Sequence, residues 1–279
     1  MATTRDPQLT GSSWHLDSFD IDAYLSAVGV EREKPGLEFL ERLICAHLET
    51  FPFANIDILL GSHPGVEPVN VQRQIVDRRR GGYCFEHAQI FAAVAADLGY
   101  RVRRQLGRVH SPYNTRTHMT VAVLTEEAWF LTDPGFGFSI RGPLSLQHGA
   151  HRNDGGRVFS ISHDSQDGVD RWSLHRDGGL QHVTDGLKVQ PADVRSGHLV
   201  TSTSTTAGPF TRALIASRFT ADGHVTVTSG TRTVRRNSQP TRQETITTAE
   251  AVDGVRELGV SLTSDEQNRL LRVLEGWAP

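Results

Sequence analysis

The chain has 279 residues, 37% of them hydrophobic and 22% charged, with a formal net charge of −3 at pH 7. That balance suits a soluble globular protein with a sizeable core and supplies no basic surplus for nucleic acid. Residues 1–20 lack a basic start followed by an apolar run, and nowhere do about 18 apolar residues follow one another, so the expectation is a cytoplasmic protein without a membrane span.

From Asp20 to about Leu98 the apolar spacing is helical, with stripes at Ile21, Tyr24, Leu25 and Val28, at Leu37, Leu40, Ile44 and Leu48, and at Ile90, Phe91, Val94 and Leu98. From Tyr100 onward the apolar residues alternate or cluster in short runs, the strand pattern. Residues 118–124 and 128–132 read as an antiparallel hairpin turning at Thr125-Glu126-Glu127, and further strands are expected over 157–162 and 172–175. Residues 147–156, rich in Gly, His and Asn, read as a surface loop. Two strands over 212–220 and 224–228 flank the turn Ala221-Asp222-Gly223. Two capped helices close the chain, beginning at Thr247-Thr248-Ala249-Glu250 and Ser264-Asp265-Glu266-Gln267. The fold class expected is α+β: a helical bundle over 1–97, a run of strands over 98–200 and a mixed helix and strand segment over 201–279.

Two cysteines occur, too few for a disulfide framework and without a CxxC spacing. Cys45 falls within a helical pattern and reads as a buried structural thiol. Cys84 follows Arg80-Gly81-Gly82-Tyr83 and opens a helix. A helix N-terminus presents unpaired N–H groups and the positive end of the macrodipole, which stabilise sulfur as thiolate and lower its pKa.

A nucleophilic cysteine needs a base, and the base an orienting group. Among 13 histidines His118 is the best placed, where the irregular segment 111–115 meets a strand. Asp133, in Asp133-Pro134-Gly135-Phe136-Gly137, follows the next strand. If the two strands pair as a hairpin, His118 and Asp133 both fall at its open end and become neighbours. Singly, each of the three also reads as an ordinary structural residue; their order and the glycine-rich approach to Cys84 favour the joint reading. No metal site is expected, because His148-x-x-His151 has no cysteine or carboxylate at ligand spacing.

The stretch Arg80-Gly81-Gly82-Tyr83-Cys84-Phe85-Glu86 resembles the signature of the arylamine N-acetyltransferases. His118 and Asp133-Pro134-Gly135-Phe136-Gly137 match that family's other catalytic blocks in order, and Phe51-Pro52-Phe53-Ala54-Asn55 resembles its Pro-Phe-Glu-Asn segment. The resemblance implies that residues 98–200 form a β-barrel and 201–279 an α/β lid, and that a cysteine-protease-like Cys-His-Asp core carries Cys84, His118 and Asp133. It further implies ping-pong transfer of an acetyl group from acetyl-CoA, through an acetyl-cysteine, to an arylamine, arylhydroxylamine or hydrazine. The aromatic acceptor would lie against Phe53, Phe85, Phe136 and Gly137. The family's CoA-holding Ser-Thr-His-Pro-x-Ser-x-Phe segment stands here as residues 203–210, with Thr203, Ser204, Gly208 and Phe210 as its candidates. That segment lacks the family's histidine, and Pro134 replaces its usual valine. The divergent CoA segment keeps open an amide synthase that closes a macrolactam from a carrier-bound polyketide. A Cys-His-Asp hydrolase, with water or lysine as acceptor, is a further alternative. The two arginine clusters, 78–80 and 101–108, are read as solvated faces paired with acids, or as contacts to CoA phosphates; Arg80 in particular could pair with a carboxylate and hold the turn.

Overall fold

A computed structural model describes residues 13–125 and 128–277. The first elements are α1 (Ile21–Val28), α2 (Leu37–Thr50), β1 (Phe53–Ala54), α3 (Ile56–Leu59), α4 (Pro68–Gln72) and α5 (Cys84–Asp97). Asp20 starts α1 by accepting the Ala23 N–H at 2.9 Å, satisfying one of the donors that a helix start leaves unpaired. The stripe Ile21, Tyr24, Leu25, Val28 is buried as its spacing predicts. In α2, Leu40, Ile44 and Leu48 are buried, but Leu37 at the helix start is exposed. Cys45 is only partly buried, its thiol facing the Arg141 carbonyl at 3.5 Å. Helix α5 is buried on every side from Cys84 to Ala95, which makes it the central rod of the molecule.

The next elements are β2 (Arg101–Val109), β3 (Arg116–Leu124), β4 (Trp129–Thr132), β5 (Leu144–Ser145), β6 (His151–Asp154), β7 (Arg157–Gln166), β8 (Val169–Arg176) and β9 (Gly179–Asp185). They form one antiparallel sheet in the order β5-β4-β3-β2-β9-β8-β7-β6, curled so that β5 meets β6 and β7 in a nearly closed barrel. The hairpin expected over 118–132 is present, with Val121 opposite Thr132; of its turn, Glu126 and Glu127 lie outside the described residues. The segment read as a loop at 147–156 instead contains β6, which pairs with β7 across Gly155 and Gly156. Its polar side chains fit an edge strand, which has no buried face to demand an apolar pattern.

Helix α6 (Pro191–Thr203) leads to β10 (Ile215–Thr220), β11 (Gly223–Thr228), β12 (Thr231–Arg236), β13 (Arg242–Thr245), α7 (Thr248–Glu257) and α8 (Ser264–Glu275). Strands β10 to β13 extend β1 into a second sheet, with Phe53 opposite Ser217, and α7 and α8 cover it. Thr247 and Glu250 cap α7 as expected. The cap of α8 is Thr263 with Glu266, one residue earlier than the pair Ser264 and Gln267. Among the described residues no helix is long and apolar enough to cross a membrane.

Candidate active site

Cys84 is the first residue of α5, and the turn before it is tied from three sides. The buried Arg80 guanidinium donates to Asp57 at 2.7 and 3.1 Å, to Glu266 at 3.0 Å and to the Ser261 carbonyl at 2.8 Å, so the C-terminal helix pair braces the turn. Arg80 thus pairs with carboxylates and holds the turn. Gly81 sits at φ 73°, and a Cβ there would stand 2.5 Å from the Pro52 carbonyl oxygen. Glu86 accepts the Tyr83 N–H at 3.2 Å, filling the reciprocal position of a capping box.

Behind Cys84 runs a buried chain of rings. Tyr24 Oη lies 2.8 Å from His47 Nδ1, His47 Nε2 lies 2.8 Å from His87 Nδ1, and His87 Nε2 lies 3.3 Å from the Pro52 carbonyl. Burial pushes both imidazoles down and the Tyr24 phenol up, so all three stay neutral. The terminal carbonyl can only accept, which fixes the direction: Tyr24 donates to His47, His47 to His87 and His87 to Pro52. The chain anchors the segment that carries Phe53 to the helix that carries Cys84.

The register of β3 and β4 brings Asp133, just past β4, next to His118. His118 Nε2 lies 3.0 Å from Asp133 Oδ1, and Asp133 Oδ2 receives Ser139 Oγ–H at 3.1 Å and His182 Nε2–H at 3.2 Å. Burial alone would raise the Asp133 carboxyl, but His118 and His182 overcome it and hold the group well below the usual carboxylate range. The carboxylate claims Nε2 of His118 and leaves Nδ1 as its proton acceptor. Gly135 permits the close approach: a Cβ there would be 2.6 Å from Cys84 Cα and 2.9 Å from His87 Cβ.

The thiol differs from expectation. Burial pushes Cys84 well above the ordinary cysteine value and the Glu86 charge adds to this, outweighing the backbone N–H groups of Met119 and Phe85 that favour the anion. Sγ faces the Thr117 carbonyl at 3.6 Å. The helix start is thus outweighed in so dry a place; His118 lines the same cavity as Cys84.

Cys84 and His118 open on one cavity of about 490 Å³, whose apolar wall includes Phe53, Phe136, Phe210 and Ile215. Phe136 meets His118 edge to face, with ring centroids 4.9 Å apart. Gly208 and Phe210 line the cavity, whereas Thr203 ends α6 and Ser204 turns its hydroxyl to the N–H groups of Thr206 and Ala207. Phe85 does not line it: as the second residue of α5 it points into the core, packed on Tyr83 and against Gly197. Gly137 also falls outside the lining, beside Ser217. Of the second arginine cluster, Arg104 stacks on Trp14 at 4.0 Å, Arg103 on Trp129 at 4.2 Å, and Arg108 donates to the Asn114 carbonyl, so the cluster does not converge.

His182 escaped the sequence reading. It lies on β9, 49 residues from Asp133, and reaches the carboxylate only because Val109 of β2 pairs with it across the barrel. The one available signal was a histidine two places from Thr184 on an alternating strand. Among the described residues, His118, Asp133 and His182 are the one group spaced as metal ligands, within 4.8 Å of one another. Hydrogen bonds from each Nε2 to its own carboxylate oxygen account for that convergence.

A helix-borne cysteine facing a barrel-borne histidine and aspartate defines a cysteine-protease-like α+β protein. A family model described as N-acetyltransferase matches residues 36–266, and the chain belongs to the arylamine N-acetyltransferase family. It is 35% identical over 143 residues to an arylamine N-acetyltransferase of Mycolicibacterium smegmatis, a match covering 47% of this chain and 52% of that relative. The chain thus aligns in sequence with about half the length of such curated relatives. In structure it is similar to the Nocardia farcinica arylamine N-acetyltransferase, with TM-score 0.87, 28% identity and coverage of 97% and 99% of the two chains. The Mycobacterium marinum arylamine N-acetyltransferase in complex with CoA superposes with TM-score 0.83 at 27% identity, covering 93% of this chain and 100% of the other.

Proposed function

We propose that the protein is an acetyl-CoA-dependent arylamine N-acetyltransferase in which Cys84 carries the acetyl group, His118 moves the protons and Asp133 orients His118. The observation that carries this reading is the shared cavity: Cys84 and His118 line it together, with Asp133 buried beside the imidazole. His118 Nδ1 accepts the thiol proton, and the thiolate attacks the thioester carbonyl. The tetrahedral intermediate expels CoA as its thiolate, which takes the proton back from His118. A neutral arylamine then attacks the acetyl-cysteine, its N–H proton passes to His118, and the C–S bond breaks to release the amide and Cys84. The N–H groups of Phe85 and Met119, already directed at Sγ, favour the thiolate. Phe53, Phe136 and Phe210 offer faces to an aromatic acceptor.

Initial rates with acetyl-CoA and an arylamine varied together test the scheme. A covalent intermediate formed before the acceptor binds gives parallel double-reciprocal lines; intersecting lines would require both substrates on the enzyme at once and contradict it.

A further inference from the structure

The barrel opens at a second end. Val102 and Leu106 of β2 join the core around α5, so Arg103, Gln105 and Gly107 share the opposite face of the strand, turned into the barrel. Gly107 stands against His118, and Arg103, opposite Ala122, lies four residues away, about 13 Å along the strand. There a cavity of about 540 Å³ opens among β2, β3, β4, β8 and the end of β9, and it has no lining residue in common with the cavity at Cys84. That volume suits a whole organic ligand.

Two indoles line this mouth. Trp172 of β8 reaches across the barrel and donates from Nε1 to the Leu146 carbonyl at 3.1 Å, and the Leu146 N–H donates to the Trp129 carbonyl at 2.8 Å. Leu146 thus ties both tryptophans to one rim. The Arg103 guanidinium lies 4.2 Å from the Trp129 ring centroid. Gln105 also lines the cavity; it is only 5% exposed, and its Oε1 is buried with no hydrogen-bond partner, a cost while it stays unmet. The charge here is positive. Asp185 is the one acid of the lining, and it is held by Arg116 and by the Leu187 N–H at 3.2 Å. Arg104 turns to the other face of β2, where it donates to Gln89 and stacks on Trp14. Among the described residues neither Arg103 nor Lys188 has a carboxylate within ion-pair range.

We propose that this mouth of the barrel is a binding site for a planar aromatic carboxylate, its ring against Trp129 and Trp172 and its carboxylate on Arg103 and Lys188. A guanidinium fork matches carboxylate oxygens in bidentate geometry, and an indole offers its face or edge to an aromatic ring. Two cations without a counterion select the anionic ligand over its neutral analogue. The site uses neither Cys84 nor the proton transfers at His118, so it stands apart from the acyl-transfer reading.

Calorimetric titration of the full chain, with Cys84 first alkylated by iodoacetamide to obstruct the other cavity, tests the proposal. 2-Naphthoate is expected to bind one to one, and the uncharged 2-naphthamide about tenfold or more weakly, the scale of one charge-assisted contact. Arg103 and Lys188 are both exposed, so their substitution leaves the core undisturbed. Arg103→Gln should weaken naphthoate binding by about tenfold and Lys188→Gln by a smaller factor, with naphthamide binding unchanged in both. Equal affinities for the two probes, naphthoate binding that survives both substitutions, binding seen only while Cys84 is unmodified, or no binding at all overturns the site.

Discussion

His182 Nε2 stands 3.2 Å from Asp133 Oδ2, on the oxygen that His118 leaves free. One carboxylate therefore holds two imidazoles. Burial pushes His182 down and outweighs the raising contact with Asp133, so it serves as a neutral donor to the carboxylate. Its Nδ1 is buried with no partner, a site with room only for an acceptor role. Replacing His182 by Phe removes a hydrogen bond to a charged group, about 1.5–3 kcal/mol, and should lower kcat about ten- to hundredfold. His182→Gln keeps an N–H donor and should recover part of that loss. Equal activity in all three proteins would show that Asp133 needs no second imidazole.

Gly135 lies against the nucleophile's own backbone. A Cβ at that position would approach Cys84 Cα to 2.6 Å, and neither partner is the end of a flexible side chain. Gly135→Ala should therefore displace the Asp133 loop from α5 and cost about 1–3 kcal/mol of stability, with a larger proportional loss of kcat/KM. Chemical denaturation and steady-state kinetics on one preparation separate the two effects.

Arg80 binds the turn before Cys84 to the C-terminal helices through Asp57 and Glu266. Arg80→Ala leaves the Asp57 carboxylate buried without its partner, and about 3–5 kcal/mol of stability should be lost. Urea unfolding checks this; a loss below about 1 kcal/mol would mean that the pair behaves as an exposed one.

Burial pushes His47, His87, His182 and His224 down from the ordinary imidazole value of 6.5, His224 to about 3. An unfolded chain binds protons at these positions first, so the contribution of these four groups to stability is level above pH 6.5 and falls as the pH drops below it. At His63 the Glu86 contact outweighs burial and raises the imidazole, which acts in the opposite sense. His224→Leu should flatten the decline between pH 6.5 and about 3 by about 1.4 kcal/mol per pH unit. An unchanged slope would show that His224 is protonated in the folded protein.

The pair His118 and Asp133 was legible because the hairpin that joins them is local, and alternation fixes which residues share its open end. The glycine-rich turn announced the start of α5 in the same way. His182 was not legible, since its place beside Asp133 depends on β2 pairing with β9 across an interval of some 70 residues that no local pattern encodes. Phe85 misled for a related reason: adjacency to Cys84 in sequence becomes, one step around a helix, a side chain aimed into the core. The thiol misled through magnitude, because the helix start and burial act oppositely on Cys84 and sequence reveals only the first.

The dependence of the thiol on its base is measurable. With burial holding Cys84 high, the proposed role of His118 as base predicts that reaction with iodoacetamide at neutral pH proceeds through proton transfer to it. In His118→Asn the alkylation of Cys84 should require pH above about 9, whereas the unsubstituted protein reacts near pH 7. Identical profiles would remove His118 from the role of base.

The central claim is that Cys84 carries the acyl group. Intact-mass measurement of the protein after incubation with acetyl-CoA alone tests it most directly. The account predicts a single acetyl adduct that is absent in Cys84→Ala and discharged by an added arylamine. An adduct that persists in Cys84→Ala, or no adduct on a protein that acetylates arylamines, would contradict it.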